Sequence, residues 1–388
     1  MADYKSYLRV LNKESFNLKE KQKEILDMLQ KGKKEIIGIL PTGYGKSLIY
    51  EIAPLMLSGT VIVISPLTSI QVEQFQRLRE TPLKTCILNV KGRIITVLDI
   101  EDEMVDMQSS TPIEEIYNTN LIFAHPEAIF NTVEGRKLLD CDSATVSLQE
   151  EKDIVKALGM KTPCIVKESP DRTNIYLEKN LKGSSNDVFE MFENIYKPLC
   201  DDLFVKKENF PVTLVYIPIQ YMGSAIAYCR FIFRNSNLHN CLYGALCSGQ
   251  DEKVKATILT DLGKKVPRIR LVFCTSVIGM GFNSPSIDCV IHTKPPRNLS
   301  DFVQEIGRAG RDGRPARSIL FYCKRDISNN VPEIKNDIVQ YCNDDTCLRS
   351  CMLSQFGFEK GDMIDHECCM YCKESCKCIE CEILRIEL

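Results

Sequence analysis

The chain has 388 residues, enough for two or three domains with sizeable cores, and its 44% apolar and 26% charged residues fit a globular protein and exclude collagen-like or wholly disordered classes. No run of about 18 apolar residues and no apolar N-terminal segment occurs, so neither a membrane span nor a secretory leader is expected, and a soluble intracellular protein is. With 49 basic and 52 acidic residues the net charge is −3, so bulk charge does not point to a polyanionic partner and any nucleic-acid surface must be local.

Leu18-Lys19-Glu20-Lys21-Gln22 precedes a glycine-rich loop by about twenty residues. From that position a glutamine amide can read the N6/N7 edge of an adenine; a solvated amphipathic helix is the alternative. The loop is Gly38-Ile-Leu-Pro-Thr42-Gly43-Tyr-Gly45-Lys46-Ser47, after an apolar strand containing Ile36 and Ile37 and before an apolar helix starting near Ser47. That context suits a phosphate loop. Gly43 and Gly45 let backbone N–H groups turn toward a β-phosphate, Lys46 neutralises β- and γ-oxygens, Ser47 can ligate Mg²⁺, and the helix N-terminus adds its dipole. Leu40 stands where the strict pattern has glycine.

Val61–Ile64, Leu121–Ala124, Val212–Tyr216, Arg270–Cys274 and Cys289–His292 are short apolar runs alternating with helical patterns. Strands of parallel sheets covered on both faces read this way, so the fold class is α/β. Ile94–Leu98, followed by Asp99, Glu101 and Glu103, reads as an ordinary strand running into an acidic surface stretch. A helix is expected over Gln149–Leu158, with Ser147 and Glu150 as a capping box, Ile154, Val155 and Leu158 as its buried stripe and Gly159 as its stop. It lies where one α/β unit hands over to the next, which gives domains of 1–160 and 161–325.

Gln304-Glu-Ile-Gly-Arg308-Ala-Gly-Arg311-Asp-Gly313 places two arginines three apart in a glycine-rich segment. Such a pair can reach a γ-phosphate across a cleft and stabilise charge during phosphoryl transfer. Val277–Asn283, which contains Gly281, precedes it at the spacing a second nucleotide-handling lobe needs. Arg297–Arg325 holds seven basic and three acidic residues, a local surface for DNA phosphates or a solvated basic face.

From Asp326 onward thirteen acidic residues face six basic ones, and nine of the 19 cysteines fall between 342 and 381. Clustering of this kind in a reducing compartment reads as metal ligation, so 326–388 is expected to be a separate unit. Cys347 and Cys351, then His366-Glu-Cys368-Cys369-Met-Tyr-Cys372, have ligand spacing for tetrahedral Zn²⁺. Cys376, Cys378 and Cys381 either bind a second ion or stay free.

In this order the motifs resemble the RecQ branch of superfamily 2 DNA helicases: Gln22, the Lys46 loop, Ser65-Pro-Leu67 with Gln74, Ala124-His-Pro-Glu127, Ser143-Ala-Thr145, Pro170-Asp-Arg-Thr-Asn174, Gly279-Met-Gly-Phe-Asn283, Pro296-Arg-Asn298, Gln304–Gly313 and the cysteine-rich tail. The resemblance implies two RecA-like lobes with ATP between them and a small zinc-binding subdomain, ATP, Mg²⁺ and Zn²⁺ as cofactors, 3′ to 5′ translocation on single-stranded DNA, unwinding of forked DNA in repair and recombination, and a nuclear location. It makes Gln22 the adenine reader, Thr42, Gly43, Gly45, Lys46, Ser47 and Gly281 nucleotide contacts, Arg311 the arginine finger with Arg308 and Gln304 beside it, and Ser143 and Thr145 a relay between nucleotide and DNA. It maps zinc onto Cys347, His366, Cys369 and Cys372, with Cys368 the rival fourth ligand.

Two departures stand out. Leu18-Lys19 replaces the Phe-Arg of the adenine motif. No Asp-Glu-x-His segment follows an apolar strand between Pro126 and Ser143, where the family carries the Mg²⁺-holding Asp, the water-orienting Glu and an aromatic-rich loop; the chain contains no Trp. The first lobe is thus expected to be shortened and hydrolysis to be poor. A catalytically silent protein that binds nucleotide, zinc and DNA is the competing reading. The chain stops at Leu388, where a winged-helix domain often follows in the family.

Overall fold

The computed structural model describes residues 4–41, 43–57, 59–65, 68–91, 94–98, 119–124, 152, 155, 160–183, 187–236, 242–275, 286–363 and 365–386. They form two compact units, 1–168 and 169–388. Among the described residues no helix is long and apolar enough to cross a membrane.

The first unit contains α1 (Tyr4–Val10), α2 (Glu20–Gln30), β1 (Ile36–Ile39), α3 (Ser47–Leu57), β2 (Val61–Ile64), α4 (Thr68–Leu78), β3 (Thr85–Lys91), β4 (Ile94–Leu98), β5 (Leu121–Ala124) and β6 (Cys164–Lys167). Four of these strands form a sheet in the order β2-β5-β3-β4, parallel except for β4, which runs antiparallel on the edge. The apolar run ending in acids is therefore a strand, as expected. The strand that leads into the glycine-rich loop behaves differently. Among the described residues β1 pairs only with β6, in parallel, with Ile36 opposite Cys164.

Two helices bridge these sheets. Leu26 of α2 and Leu48 and Ile52 of α3 share a core with Ile87, Leu121 and Phe123, while Ile25, Leu40 and Val166 form a small cluster under β1 and β6. The pairing of β6 with β1, continued by the Glu168 N–H donating to Ile39 O at 2.9 Å, places 161–168 in the first unit, so the boundary falls after Glu168 and not after 160. The stretch between Pro126 and Ser143, where the family carries its Asp-Glu-x-His segment, and the helix expected over Gln149–Leu158 lie outside the described residues, apart from Lys152 and Val155, which are helical.

The second unit is built on β7 (Ile175–Leu181), α5 (Val188–Lys206), β8 (Thr213–Tyr216), α6 (Ile219–Ile232), β9 (Tyr243–Leu246), α7 (Glu252–Leu262), β10 (Leu271–Cys274), β11 (Cys289–His292), α8 (Leu299–Ile306) and β12 (Ala316–Tyr322). The strands form one six-stranded sheet in the order β7-β12-β11-β8-β10-β9, parallel throughout. β8, β10 and β11 are buried along their whole length, which is why they read in sequence as continuous apolar runs. Successive residues serve opposite faces. Val215, Phe273 and Ile291 pack with Tyr196, Cys200 and Cys229 of α5 and α6. Leu214, Val272 and Val290 face the other way, toward Phe302 of α8.

The tail comprises α9 (Asn336–Asn343), α10 (Leu348–Ser354), α11 (Asp365–Cys368), α12 (Met370–Ser375) and α13 (Ile379–Ile386). It is not separate. Tyr341, Leu348, Met352, Cys368, Cys369 and Cys372 belong to the same core as Leu214 and Val290, so this helical module completes one face of the sheet.

Candidate functional site

The glycine-rich loop leaves β1 and ends on the first turn of α3, as a phosphate loop requires. Gly43 and Gly45 adopt φ of +81° and +88°, a left-handed conformation that strains any other residue. A Cβ on Gly45 would also lie 2.8 Å from the Gln22 amide nitrogen. The Lys46 ammonium donates to Leu40 O at 2.6 Å, and burial lowers its pKa to about 8. Phosphate oxygens are the natural partners for a cation desolvated in this way. Ser47 opens α3, while Thr42 lies outside the described residues.

Gln22 is buried at 2% exposure, and its amide is engaged with the protein's own backbone. Its Nε2 donates to Tyr44 O at 3.1 Å and Gly45 O at 2.8 Å, and its Oε1 accepts from the Lys19 N–H at 2.7 Å. In this structure the residue braces the loop from behind; the sequence-based expectation assigned these same amide groups to adenine. Where the family's Phe-Arg is replaced, Leu18 is buried and the Lys19 ammonium sits 4.4 Å from the Tyr44 ring centroid. Tyr44 in turn donates to Glu168 at 3.0 Å.

Mg²⁺ is less well provided for. The ion normally takes one or two carboxylates together with phosphate oxygens and water. Ser47 supplies one hydroxyl, and the sequence has no Asp-Glu-x-His segment at the family's position to supply the acid. The residues identified here fit a triphosphate better than the metal that accompanies it.

In the second unit α8 is capped by Asn298, whose side chain accepts from the Asp301 N–H at 2.7 Å, and leads into the arginine loop. Arg308 is buried, Arg311 is half-buried, and Gln304 lies half-buried on the last turn of α8. Burial and the neighbouring charges of Arg308 and Arg172 depress the Arg311 pKa to about 10. Three guanidinium groups held this close favour an anion between them. Beneath them His292 Nε2 lies 2.7 Å from Glu305 Oε2, both buried, and the imidazole stacks on Tyr216 with ring centroids 4.7 Å apart.

The loop is fixed by residues quoted above only as part of a motif. Arg172 donates to Gly307 O at 3.2 Å, Ala309 O at 3.3 Å and Gly310 O at 2.6 Å; Asn174 donates to Gly310 O at 2.8 Å and Arg314 O at 2.7 Å. Gly310 has φ +55°, and a Cβ there would run into Asn174 Nδ2 and lie 2.7 Å from Arg314 O, so only glycine fits. Arg349, 1% exposed, links the tail to the same segment: it pairs with Asp171 and donates to Arg172 O at 3.1 Å and to Ile175 O. Nothing in the local pattern around Arg349 marked it.

The basic stretch is smaller than its sequence count. Arg314 pairs with Asp312 and lies 3.7 Å from Asp288, and Arg317 lies 2.7 Å from Glu178, so within it the exposed Arg297, Lys324 and Arg325 remain for phosphates. Gly281, Ser143 and Thr145 lie outside the described residues.

The cysteines of the tail gather into two groups. Cys347, Cys368, Cys369 and Cys372 place their sulfurs within 4.8 Å of one another; His366, Cys376, Cys378 and Cys381 do the same with their ligand atoms. The fourth member of the first group is therefore Cys368 and not His366. Both lie on the single turn of α11, and residues two apart on a helix point in different directions, so the turn sends one to each group. The first group fits zinc: Cys347 Sγ and Cys368 Sγ are 3.6 Å apart, against about 3.8 Å for the edge of a tetrahedron with Zn–S bonds of about 2.3 Å. Cys347 caps α10 and its sulfur accepts from the Ser350 N–H at 3.5 Å, while hydrogen bonds from the thiols of Cys368 and Cys369 hold its pKa far below the usual thiol range.

Comparison with known proteins agrees with this layout. Residues 19–160 match the family model of the DEAD/DEAH box helicase and residues 196–313 that of the helicase conserved C-terminal domain. Over 89% of its length the chain is 26% identical to the ATP-dependent helicase SGS1 of Saccharomyces cerevisiae, and over 88% it is 25% identical to the ATP-dependent DNA helicase RecQ of Bacillus subtilis. It spans 27% of the first relative and 62% of the second. The structure of Mycobacterium smegmatis helicase Lhr bound to ssDNA and AMP-PNP shares the fold, with a TM-score of 0.57 and 16% identity over 83% of this chain and 48% of that one. With both helicase domains matched in order and RecQ relatives aligned along most of its length, the chain carries the two conserved helicase domains and is similar to the RecQ helicases of superfamily 2.

Proposed function

We propose that this chain is an ATP- and DNA-binding RecQ-like helicase core of the 3′ to 5′ class whose hydrolytic step is impaired. The observation that carries the reading is the state of the first unit. Its phosphate loop keeps both left-handed glycines and a desolvated lysine, while β1 pairs only with β6 among the described residues. Binding a triphosphate needs the strand, loop and helix that are present. Activating water needs carboxylates from a strand beside β1, and the sequence does not supply them at the family's position.

Arg311 and Arg308 are the residues proposed to meet the γ-phosphate, and Cys347, Cys368, Cys369 and Cys372 those proposed to hold a structural zinc ion. Single-stranded and forked DNA are the proposed substrates and the nucleus the proposed location. The test is a paired measurement on the full chain: affinity for a non-hydrolysable ATP analogue, and single-turnover ATP hydrolysis with and without single-stranded DNA. Analogue binding that is lost in Lys46→Ala, with hydrolysis slow but above background, supports the proposal. Failure to bind the analogue sinks it. Hydrolysis at background with intact binding selects the second reading, a silent nucleotide- and DNA-binding protein, and DNA-stimulated turnover at the rate of ordinary helicases refutes both.

A further inference from the structure

We propose that His366, Cys376, Cys378 and Cys381 form a second structural zinc site, distinct from the four-cysteine group beside it. The four ligand atoms lie within 4.8 Å of one another, and Cys376 and Cys381 are buried at 3% and 7% exposure. His366 Nδ1 is 3.2 Å from Cys378 Sγ and 3.7 Å from Cys376 Sγ. A tetrahedral ion with Zn–N of about 2.1 Å and Zn–S of about 2.3 Å places imidazole nitrogen and sulfur about 3.6 Å apart, so little movement is needed to admit it.

The orientation of the imidazole supports the assignment: Nδ1 is the ring nitrogen turned toward the sulfurs, while Nε2 points away, 3.7 Å from the exposed Glu380 carboxylate. Three sulfurs and one nitrogen fill a tetrahedron and leave no open position, so the ion would be structural. It would join α11, the segment after α12 and the first turn of α13, pieces too short to be stable helices alone. The two sites would then share the turn that carries His366 and Cys368.

The experiment is zinc content of the full chain, purified under reducing conditions without chelator and measured by elemental analysis and native mass spectrometry. Two zinc ions per chain are expected, falling to one in both Cys376→Ser and Cys378→Ser, and falling separately in Cys372→Ser. X-ray absorption at the zinc edge of the unmodified protein needs no variant. Seven sulfurs and one imidazole nitrogen shared by two ions are expected, against four sulfurs and no nitrogen if only the first group binds. One zinc ion with an all-sulfur shell overturns the proposal, as do two ions retained in Cys378→Ser, or a Cys376–Cys378 disulfide in place of metal. The proposal does not depend on nucleotide binding, so its failure leaves the helicase reading untouched.

Discussion

The second unit carries six parallel strands in one sheet; the first divides its described strands into a pair and a group of four. In the second unit β8 is hydrogen-bonded on both sides, by β10 and β11, and the arginine loop is held from below by Arg172 and Asn174. In the first unit β1 has one described neighbour, yet the loop that follows it keeps its glycine geometry and its brace from Gln22. Holding a phosphate is local chemistry, done by one strand, one loop and one helix. Splitting a phosphate bond is not, because it needs acids delivered by a neighbouring strand. The first can survive where the second is lost.

The most forceful way to break this contrast is to rebuild the missing part. Inserting a strand-and-loop segment carrying Asp-Glu-x-His from a RecQ relative between Ala128 and Asp142 is expected to raise DNA-stimulated ATP turnover by roughly 10²- to 10⁴-fold, the usual range for a positioned general acid–base group. No rise in a folded chimera would show that the carboxylates were not what limits the enzyme.

Next in size is Arg349→Met. Removing one member of a buried ion pair costs about 3–5 kcal/mol, so urea unfolding of the second unit should shift by that amount while the first unit is unchanged. A shift under about 1 kcal/mol would mean that the Arg349–Asp171 pair is dispensable.

Gly310→Ala should destabilise the same unit by about 1–3 kcal/mol, since a Cβ there meets Asn174 and a backbone carbonyl. The first unit again serves as internal control in thermal unfolding.

The smallest effect concerns pH. Burial alone would raise the Asp261 pKa, but hydrogen bonds from the Ile269 and Arg268 N–H groups and the charge of Lys264 outweigh it and hold the carboxylate below its usual range. A carboxyl whose pKa is lower folded than unfolded stabilises the fold above its unfolded value, near 3.9, and loses that contribution as pH falls through the folded one. Between pH 5 and 2 the second unit of Asp261→Asn should therefore lose less stability than that of the unmodified protein. Identical acid curves would remove Asp261 from the account.

Legibility followed the range of the interaction. β5, β8, β10 and β11 were readable because strands buried along their length read as nearly continuous apolar runs, and β2, half-buried throughout, because all four of its residues are β-branched. The phosphate loop was readable because its glycines, lysine and serine fall within five residues, Gly43–Ser47. The brace role of Gln22 was not, since its partners are backbone carbonyls that carry no side-chain signature. The exchange of His366 for Cys368 was hidden because spacing along a chain does not say which side of a one-turn helix each residue takes. Arg349 was hidden for another reason: its partner Asp171 lies 178 positions away.

That residue has a mechanical corollary. Arg349 grips the carbonyl of Arg172, and Arg172 grips the carbonyls of the arginine loop. A buried relay thus joins the cysteine-rich module to the guanidinium groups proposed to touch ATP, so a chelator that loosened the tail is expected to slacken the arginine loop as well.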